Sequence, residues 1–361
     1  MLAIDLDYFY AQCEELRKPE IKDKPVVICV YSGRTDESGA VSTCNYIARN
    51  LGVKSGIPII LAKKLLSNHS DAVFLPMDKV YYEETSERIM TILRSHAKVV
   101  EQVSIDEAYI DVTGDTNGDF SKAKTLGYRI KSEISDSESL TCSVGIGPNK
   151  LIAKMAVDVK KPDGLTVVKP EDVKSFLDPL PVGKLFGIGP KTEQRLQALG
   201  IKKIGELASF DVEILTREFG KHLGPHLKRF ALGIDEELVH EREAEQISRI
   251  ITLKHDTSEF DFSEDLNSIC RDISKKLKAS DLTCKTVGII VITTGLKTKN
   301  RAKTLDVPTD SAEAMESSAR ALFETFFEES SAEVRRIGVK VTGFVASTAP
   351  GDNTSLTDFF G

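Results

Sequence analysis

Apolar and polar positions alternate along the chain with two different periods, and the switches between them mark the predicted elements. MLAID (1–5) opens as a short buried strand, and residues 11–17 fit one or two helical turns. PVVICVY (25–31) is strongly β-branched and predicts a second strand, followed by the polar turn SGRTDESG (32–39). VSTCNYIARNLGV (41–53) reads as a helix that ends near Gly52. Val80, Ile89, Ile92 and Leu93 recur at helical spacing over 79–96. VVEQVSIDEAYIDV (99–112) predicts two short strands that meet at a turn. A helix (121–135), a strand (141–147) and a helix (151–161) follow. Strands and helices alternate without regular βαβ spacing, which predicts an α+β fold.

The pattern changes after KPDGLTVVKP (161–170). Residues 170–232 are helical, with Gly and Pro between short segments, and predict a small all-α domain. The charged stretch DEELVHEREAEQ (235–246) is the best linker. From 246 to 345 the order is strand, helix, strand, strand, helix, strand. That is βαββαβ, a ferredoxin-like or split-βαβ arrangement with both helices on one sheet face. The final STAPGDNTSLTDFFG reads as a tail that orders only on binding.

Charge narrows the function. The chain has 361 residues, 48 Lys+Arg against 55 Asp+Glu, and a formal net charge of −7. This excludes a simple polycation but not local basic surfaces. The strips 285–304 and 334–343 carry Lys and Arg without an acid. Two acids within the first seven residues argue against a signal peptide, and no apolar run would span a bilayer. The six cysteines show no CxxC and read as packing thiols of a cytoplasmic protein.

Two acidic places carry candidate chemistry, Asp5-Leu6-Asp7 and Asp106-Glu107. Asp5 and Asp7 are two apart on a strand and can share a face. Asp106 and Glu107 converge only if the strand turns between them. Such carboxylates form an oxygen cage suited to Mg²⁺, and ordinary surface acids are the alternative. Thr43, Tyr46 and Arg49 are spaced three apart on the predicted helix and would share one face. Their hydroxyl, phenol and guanidinium are donors for phosphate oxygens.

These residues fall into a wider pattern. D-L-D-Y-F-Y-A-Q-C-E-E (5–15), S-G-A-V-S-T-C-N-Y-I-A-R (38–49), S-I-D-E-A-Y-I-D-V (104–112), K-K-P-D-G (160–164) and G-I-G (187–189) occur in this order. With them the sequence resembles the Y-family, DinB-type (DNA polymerase IV-like) translesion DNA polymerases over residues 1–345. The resemblance implies a right-hand polymerase. The palm would be 1–10 and 77–166, the fingers 11–76, the thumb 167–233 and the little finger 246–345. A linker (234–245) and a clamp-binding tail (346–361) complete the expected layout.

The resemblance implies a template-directed DNA polymerase that adds dNTPs to a primer 3′ end by two-metal phosphoryl transfer, with low fidelity, lesion bypass and no proofreading exonuclease. It assigns Asp5, Asp106 and Glu107, with the Leu6 carbonyl, as ligands of two Mg²⁺. Asp7 corresponds to a second N-terminal acid that supports the fold. Thr43, Tyr46, Arg49 and Lys161 would bind the triphosphate. Phe9 and Tyr10 would border the nucleotide, with Tyr10 as the steric gate against ribose. The small residues Ala40, Ser42 and Gly56 would roof the base pair.

DNA contacts are expected from Gly187 and Gly189 in a helix-hairpin-helix, where a phosphate can approach backbone amides. Lys299, Arg301 and Lys303 alternate, and with Arg335, Arg336 and Lys340 they predict a basic sheet face. Asn353, Leu356, Phe359 and Phe360 are similar to a sliding-clamp (PCNA-like) binding box with Asn in place of Gln. The expected partners are primer-template DNA, dNTPs and the clamp, with no membrane, for a monomer. A catalytically idle DNA-binding scaffold and a palm-fold nucleotidyl cyclase are the competing readings. The complete acid and donor set argues against the first, and the DNA-gripping regions against the second.

Overall fold

The computed structural model describes residues 1–242 and 244–347. The clamp-box residues Asn353, Leu356, Phe359 and Phe360 therefore lie outside the described residues. The chain divides into two units, residues 1–30 with 40–242, and residues 31–39 with 243–361.

The first unit opens with β1 (Leu2–Leu6), α1 (Phe9–Arg17), β2 (Val26–Tyr31), β3 (Gly39–Cys44), α2 (Tyr46–Asn50), α3 (Ile59–Leu65) and β4 (Val73–Pro76). It continues with α4 (Lys79–His96), β5 (Val100–Gln102), β6 (Glu107–Ile110), α5 (Thr113–Thr116), α6 (Phe120–Glu138), β7 (Cys142–Ile146), α7 (Lys150–Val157) and β8 (Leu165–Val167). β1 lies at the centre of a five-stranded sheet of order β5-β6-β1-β7-β8 and is antiparallel to both neighbours. Its sequence explains that place, because β1 is apolar on both faces. Leu2 and Ile4 join the core under α4 and α6, while Ala3 meets Ala153 and Val157 of α7 on the other face. Gly145 on β7 permits this close approach, since a Cβ there would lie 1.9 Å from the Ala153 carbonyl oxygen.

A second sheet of order β3-β2-β4 carries Thr43 and leads into α2, which carries Tyr46 and Arg49. Here the predicted helix over 41–53 is corrected. Residues up to Cys44 are strand, and helix begins only at Tyr46. The Val41 N–H donates to Ile57 O at 2.9 Å, and the Gly56 N–H returns to Val41 O at 2.8 Å. Asn45 then caps α2, its Oδ1 accepting the Ala48 N–H at 3.0 Å. The β-branched Val41 and Thr43 favour the strand, and the capping Asn marks where it stops.

The expected all-α region is present. α8 (Val173–Leu177), α9 (Pro190–Ala198), α10 (Ile204–Ser209), α11 (Val212–Phe219) and α12 (Leu223–Ala231) share one core with Leu151, Ile152, Met155 and Ala156 of α7. No helix or strand covers 234–242, which belongs to the first unit. This segment is tied down by Arg242, paired with the fully buried Glu101, and by Glu237, paired with Lys150, which itself pairs with Glu101.

The second unit contains β9 (Gln246–Thr257), α13 (Ser263–Ala279), β10 (Leu282–Thr293), β11 (Thr298–Thr309), α14 (Ala312–Glu329) and β12 (Val334–Ala346). The predicted βαββαβ order is borne out. The sheet order is β11-β10-β12-β9, and every pairing is antiparallel. β9 and β10 are thus parallel strands split by β12, and β11 and β12 are split by β10, which makes two interlocked split-βαβ units. Both helices share one core with alternate residues of the sheet. All six cysteines are buried, consistent with a packing role. Among the described residues no helix is long and apolar enough to cross a membrane.

Candidate active site

β1 and β6 bring the two acidic motifs together. Asp5 and Glu107 are direct partners in the antiparallel ladder, so their side chains leave on the same face. The Leu6 N–H donates to Asp106 O at 2.8 Å. The predicted turn lies between β5 and β6, where the Ser104 hydroxyl donates to Asp106 Oδ1 at 2.6 Å. Asp106 stands in that turn and borders the cavity, and Glu107 opens β6.

A cavity of 390 Å³ opens over Asp5 and Asp106, while Glu107 pairs with Lys154 and does not line it. Asp5, Leu6, Asp106, Tyr10, Ser42, Thr43, Tyr46, Arg49 and Lys161 all border it. The sequence had grouped Thr43, Tyr46 and Arg49 on one helix. Their convergence instead comes from a strand running into α2. The Arg49 guanidinium donates to Thr43 Oγ1 at 3.3 Å and to Cys44 O at 3.0 Å, and stands 5.0 Å from the Tyr46 ring centre. Tyr46 meets Tyr8 edge to face at 5.3 Å, and burial followed by the Asp7 charge raises its phenol above the ordinary value.

Lys161 reaches the cavity from the loop after α7. Its ammonium pairs with Asp5 at 2.8 Å and with Asp158 at 3.2 Å. Burial opposes its charge, but Asp5 and then Asp158 outweigh burial and hold the group above the usual lysine range. Lys160 is exposed and does not line the cavity.

Sequence reasoning missed Lys154. Its ammonium bridges Asp5 at 3.1 Å and Glu107 at 2.7 Å. Burial opposes this charge too, and Asp5 and Glu107 overcome it to raise the pKa. One signal was available, since Lys154 interrupts an otherwise apolar stretch of α7. Ser55, which also borders the cavity, gave no such signal.

The remaining residues at this site fall in four positions. Tyr10 lines the cavity with its ring stacked on Tyr82, at 4.4 Å between centres and 11° between planes. Phe9 and Leu6 have buried side chains, so only their main chains can face a ligand. Ala40 and Gly56 do not line the cavity themselves but flank Ser42 along the paired segments 40–44 and 56–58. Asp7 is 1 % exposed and bonded to Thr141 and Ser143, so it does not act as a twin of Asp5.

The acids suit a hard divalent cation. Asp5, Asp106 and Glu107 offer carboxylate oxygens, and two lysine ammonium groups already compensate Asp5 and Glu107. The group Glu101, Glu237 and His240 also gathers ligand atoms. Lys150 and Arg242 share its Glu101 carboxylate, as Lys154 and Lys161 share Asp5.

In the helical region Gly187 has φ +85°, and Gly189 caps α9, with open space where a Cβ would stand on either. In the second unit the predicted single basic face is corrected. Lys299, Arg301 and Lys303 do share a face, but they pair with Val291, Ile289 and Val287, which point into the helix-side core. Arg301 accordingly pairs with Glu329 of α14 at 2.6 Å. Arg336 and Lys340 pair with Ile292 and Gly288, on the open face. Arg335 sits at a register shift and binds Asp256, whose carboxyl Arg335 and Arg34 hold down at about 2. Two basic strips therefore flank different sides of the sheet.

The chain is similar to known proteins over nearly its whole length. Residues 4–158 match the impB/mucB/samB family, 244–356 its C-terminal domain, and 170–201 the IMS family HHH motif. DNA polymerase IV of Nitrosopumilus maritimus is 46% identical over 354 residues, covering 98% of this chain and 97% of that protein. DNA polymerase IV of Methanosarcina acetivorans is 46% identical over 367 residues, covering 99% of each. Among solved structures, the Y-family DNA polymerase chimera Dbh-Dpo4(243-245)-Dbh is similar with a TM-score of 0.86 and 36% identity, covering 96% of this chain and 99% of that one. The insertion ternary complex of Dbh DNA polymerase is similar with a TM-score of 0.72 and 36% identity over the same shares.

Proposed function

The chain belongs to the impB/mucB/samB family as a DinB-type Y-family translesion DNA polymerase, and from that membership we propose how its residues divide the work. Residues 1–10 and 77–166 form the palm, 11–76 the fingers, 167–233 the thumb and 246–345 the little finger. The observation that carries this reading is the cavity itself, where acids and phosphate donors from distant segments line one space.

Asp5, Asp106, Glu107 and the Leu6 carbonyl would hold two Mg²⁺, which would supply charge to favour the primer 3′-alkoxide and to neutralise the triphosphate. Thr43, Tyr46, Arg49 and Lys161 orient the triphosphate by donating to its oxygens, with Arg49 able to engage two at once. Phe9 contributes its main chain beside the nucleotide. The Tyr10 ring, held by Tyr82, lies under the sugar and leaves no room for a 2′-hydroxyl. Ala40, Ser42 and Gly56 give a small-residue roof that checks base-pair shape loosely, which favours lesion bypass at low fidelity. Synthesis without a proofreading exonuclease goes with that low fidelity.

Primer-template DNA is held by backbone contacts at Gly187 and Gly189 and by the two basic strips, without sequence readout. The protein works as a monomer that reaches a PCNA-like clamp through Asn353, Leu356, Phe359 and Phe360. Clamp binding that survived deletion of 353–361 would contradict that role. The reading as a whole is tested by primer extension with dNTPs and Mg²⁺ on intact and abasic templates. Extension on both is expected, and failure on both contradicts it.

A further inference from the structure

Asp7 is buried at the edge of the cavity and takes no part in the acid pair formed by Asp5 and Glu107. Its carboxylate is filled by donors. Ser143 Oγ donates to Oδ1 at 2.7 Å, while Thr141 Oγ1 and the Asp163 N–H donate to Oδ2 at 2.9 and 2.8 Å. The main chain is pinned as well. Gln12 Nε2 donates to Asp7 O at 2.6 Å, and the Asp7 N–H donates to Thr141 O at 3.1 Å. These bonds join the end of β1 to β7 and to the 161–164 loop, 156 residues away in the chain.

That loop carries Lys161. Asp163 follows it by two residues, has φ +55°, and is held again by Lys131 Nζ at 2.6 Å. Gly164 closes the turn tightly, because a Cβ there would lie 2.1 Å from Lys160 O. The Asp7 carboxylate thus fixes the backbone from which the Lys161 ammonium extends to Asp5.

We propose that Asp7 is a positioning residue for the triphosphate, acting through the Asp163 N–H to hold Lys161 over the cavity, and not a metal ligand. This rests on the reading of Lys161 as a triphosphate donor. What the role requires of Asp7 is acceptor geometry rather than charge. An Asn amide can keep its oxygen toward Thr141 and Asp163 and turn its nitrogen toward Ser143 Oγ, which can accept.

The test measures dNTP affinity, maximal single-turnover rate and Mn²⁺ affinity in Asp7→Asn, Asp7→Ala, Lys161→Ala and the double variant Asp7→Ala/Lys161→Ala. Asp7→Ala should weaken dNTP binding about tenfold, with a smaller effect on the maximal rate. Asp7→Asn should stay within about threefold of the parent, with Mn²⁺ affinity kept. The double variant should be no worse than Lys161→Ala, because both changes remove one interaction. If Asp7→Ala fails to unfold cooperatively, Thr141→Val serves in its place, with the same direction and the same dependence on Lys161. Unchanged dNTP affinity in folded Asp7→Ala, beside a weakened Lys161→Ala, overturns the proposal. So does loss of Mn²⁺ affinity in Asp7→Asn, which would make Asp7 a ligand. An inert Lys161→Ala overturns the triphosphate reading itself, and the inference with it.

Discussion

Asp5 faces Glu107 across the β1–β6 ladder, and the Lys154 ammonium stands between their carboxylates, 3.1 Å from one and 2.7 Å from the other. An internal cation at that place keeps two facing carboxylates from repelling each other. It also competes with any divalent ion for the same oxygens. Lys154→Met should therefore bind Mn²⁺ about tenfold more tightly, read by titration of free Mn²⁺. Equal or weaker binding would contradict this role.

Tyr10 owes its orientation to the stack on the buried Tyr82 ring. A gate of this kind acts by excluded volume, so truncation removes it. Tyr10→Ala should narrow the preference for dNTP over rNTP by about 100-fold in single-nucleotide insertion. Unchanged sugar discrimination would place the gate elsewhere.

The strips on β11 and β12 lie on different faces of one sheet, which makes them separable. Neutralising Lys299, Arg301 and Lys303 to Gln should lower the slope of log affinity for DNA against log salt by about 2 to 3. Changing Arg336 and Lys340 to Gln should lower it by about 2. A slope that neither change moves would remove the second unit from DNA binding.

Glu101 anchors Lys150 and Arg242 from a fully buried position. Burial alone would raise its pKa, but Lys150 and Arg242 outweigh burial and hold it below the usual carboxylate range. With the folded value depressed, this stabilisation is present above the unfolded pKa. It is lost as pH falls through the folded one. Glu101→Gln leaves the Lys150 charge almost buried beside an amide and should cost about 3 kcal/mol in urea unfolding at neutral pH. A loss under about 1 kcal/mol would show that the network contributes little.

Much of this was legible in the sequence, for identifiable reasons. The acid site depends on local pattern, since a strand ending in Asp5 and a turn beside Asp106 are both written in short segments. The βαββαβ order follows from runs of apolar period. What escaped depends on long-range pairing. Thr43 was placed on a helix because Tyr46 and Arg49 have helical spacing, while the strand partners of Val41 lie beyond residue 55. Alternation put Lys299, Arg301 and Lys303 on one face, but only the register with β10 says which face. The Asp7 link to Asp163 and the Lys154 bridge join segments about 150 residues apart, as sequence separations of 156 and 149 record.

The proposed catalytic centre of Asp5, Asp106 and Glu107 is tested most directly by Asp106→Asn. Single-turnover primer extension with Mg²⁺ and dNTPs would be measured beside DNA affinity by fluorescence anisotropy. The account predicts a rate lower by about 1,000-fold or more with DNA affinity within about twofold of the parent. Extension by Asp106→Asn at the parent rate would contradict it.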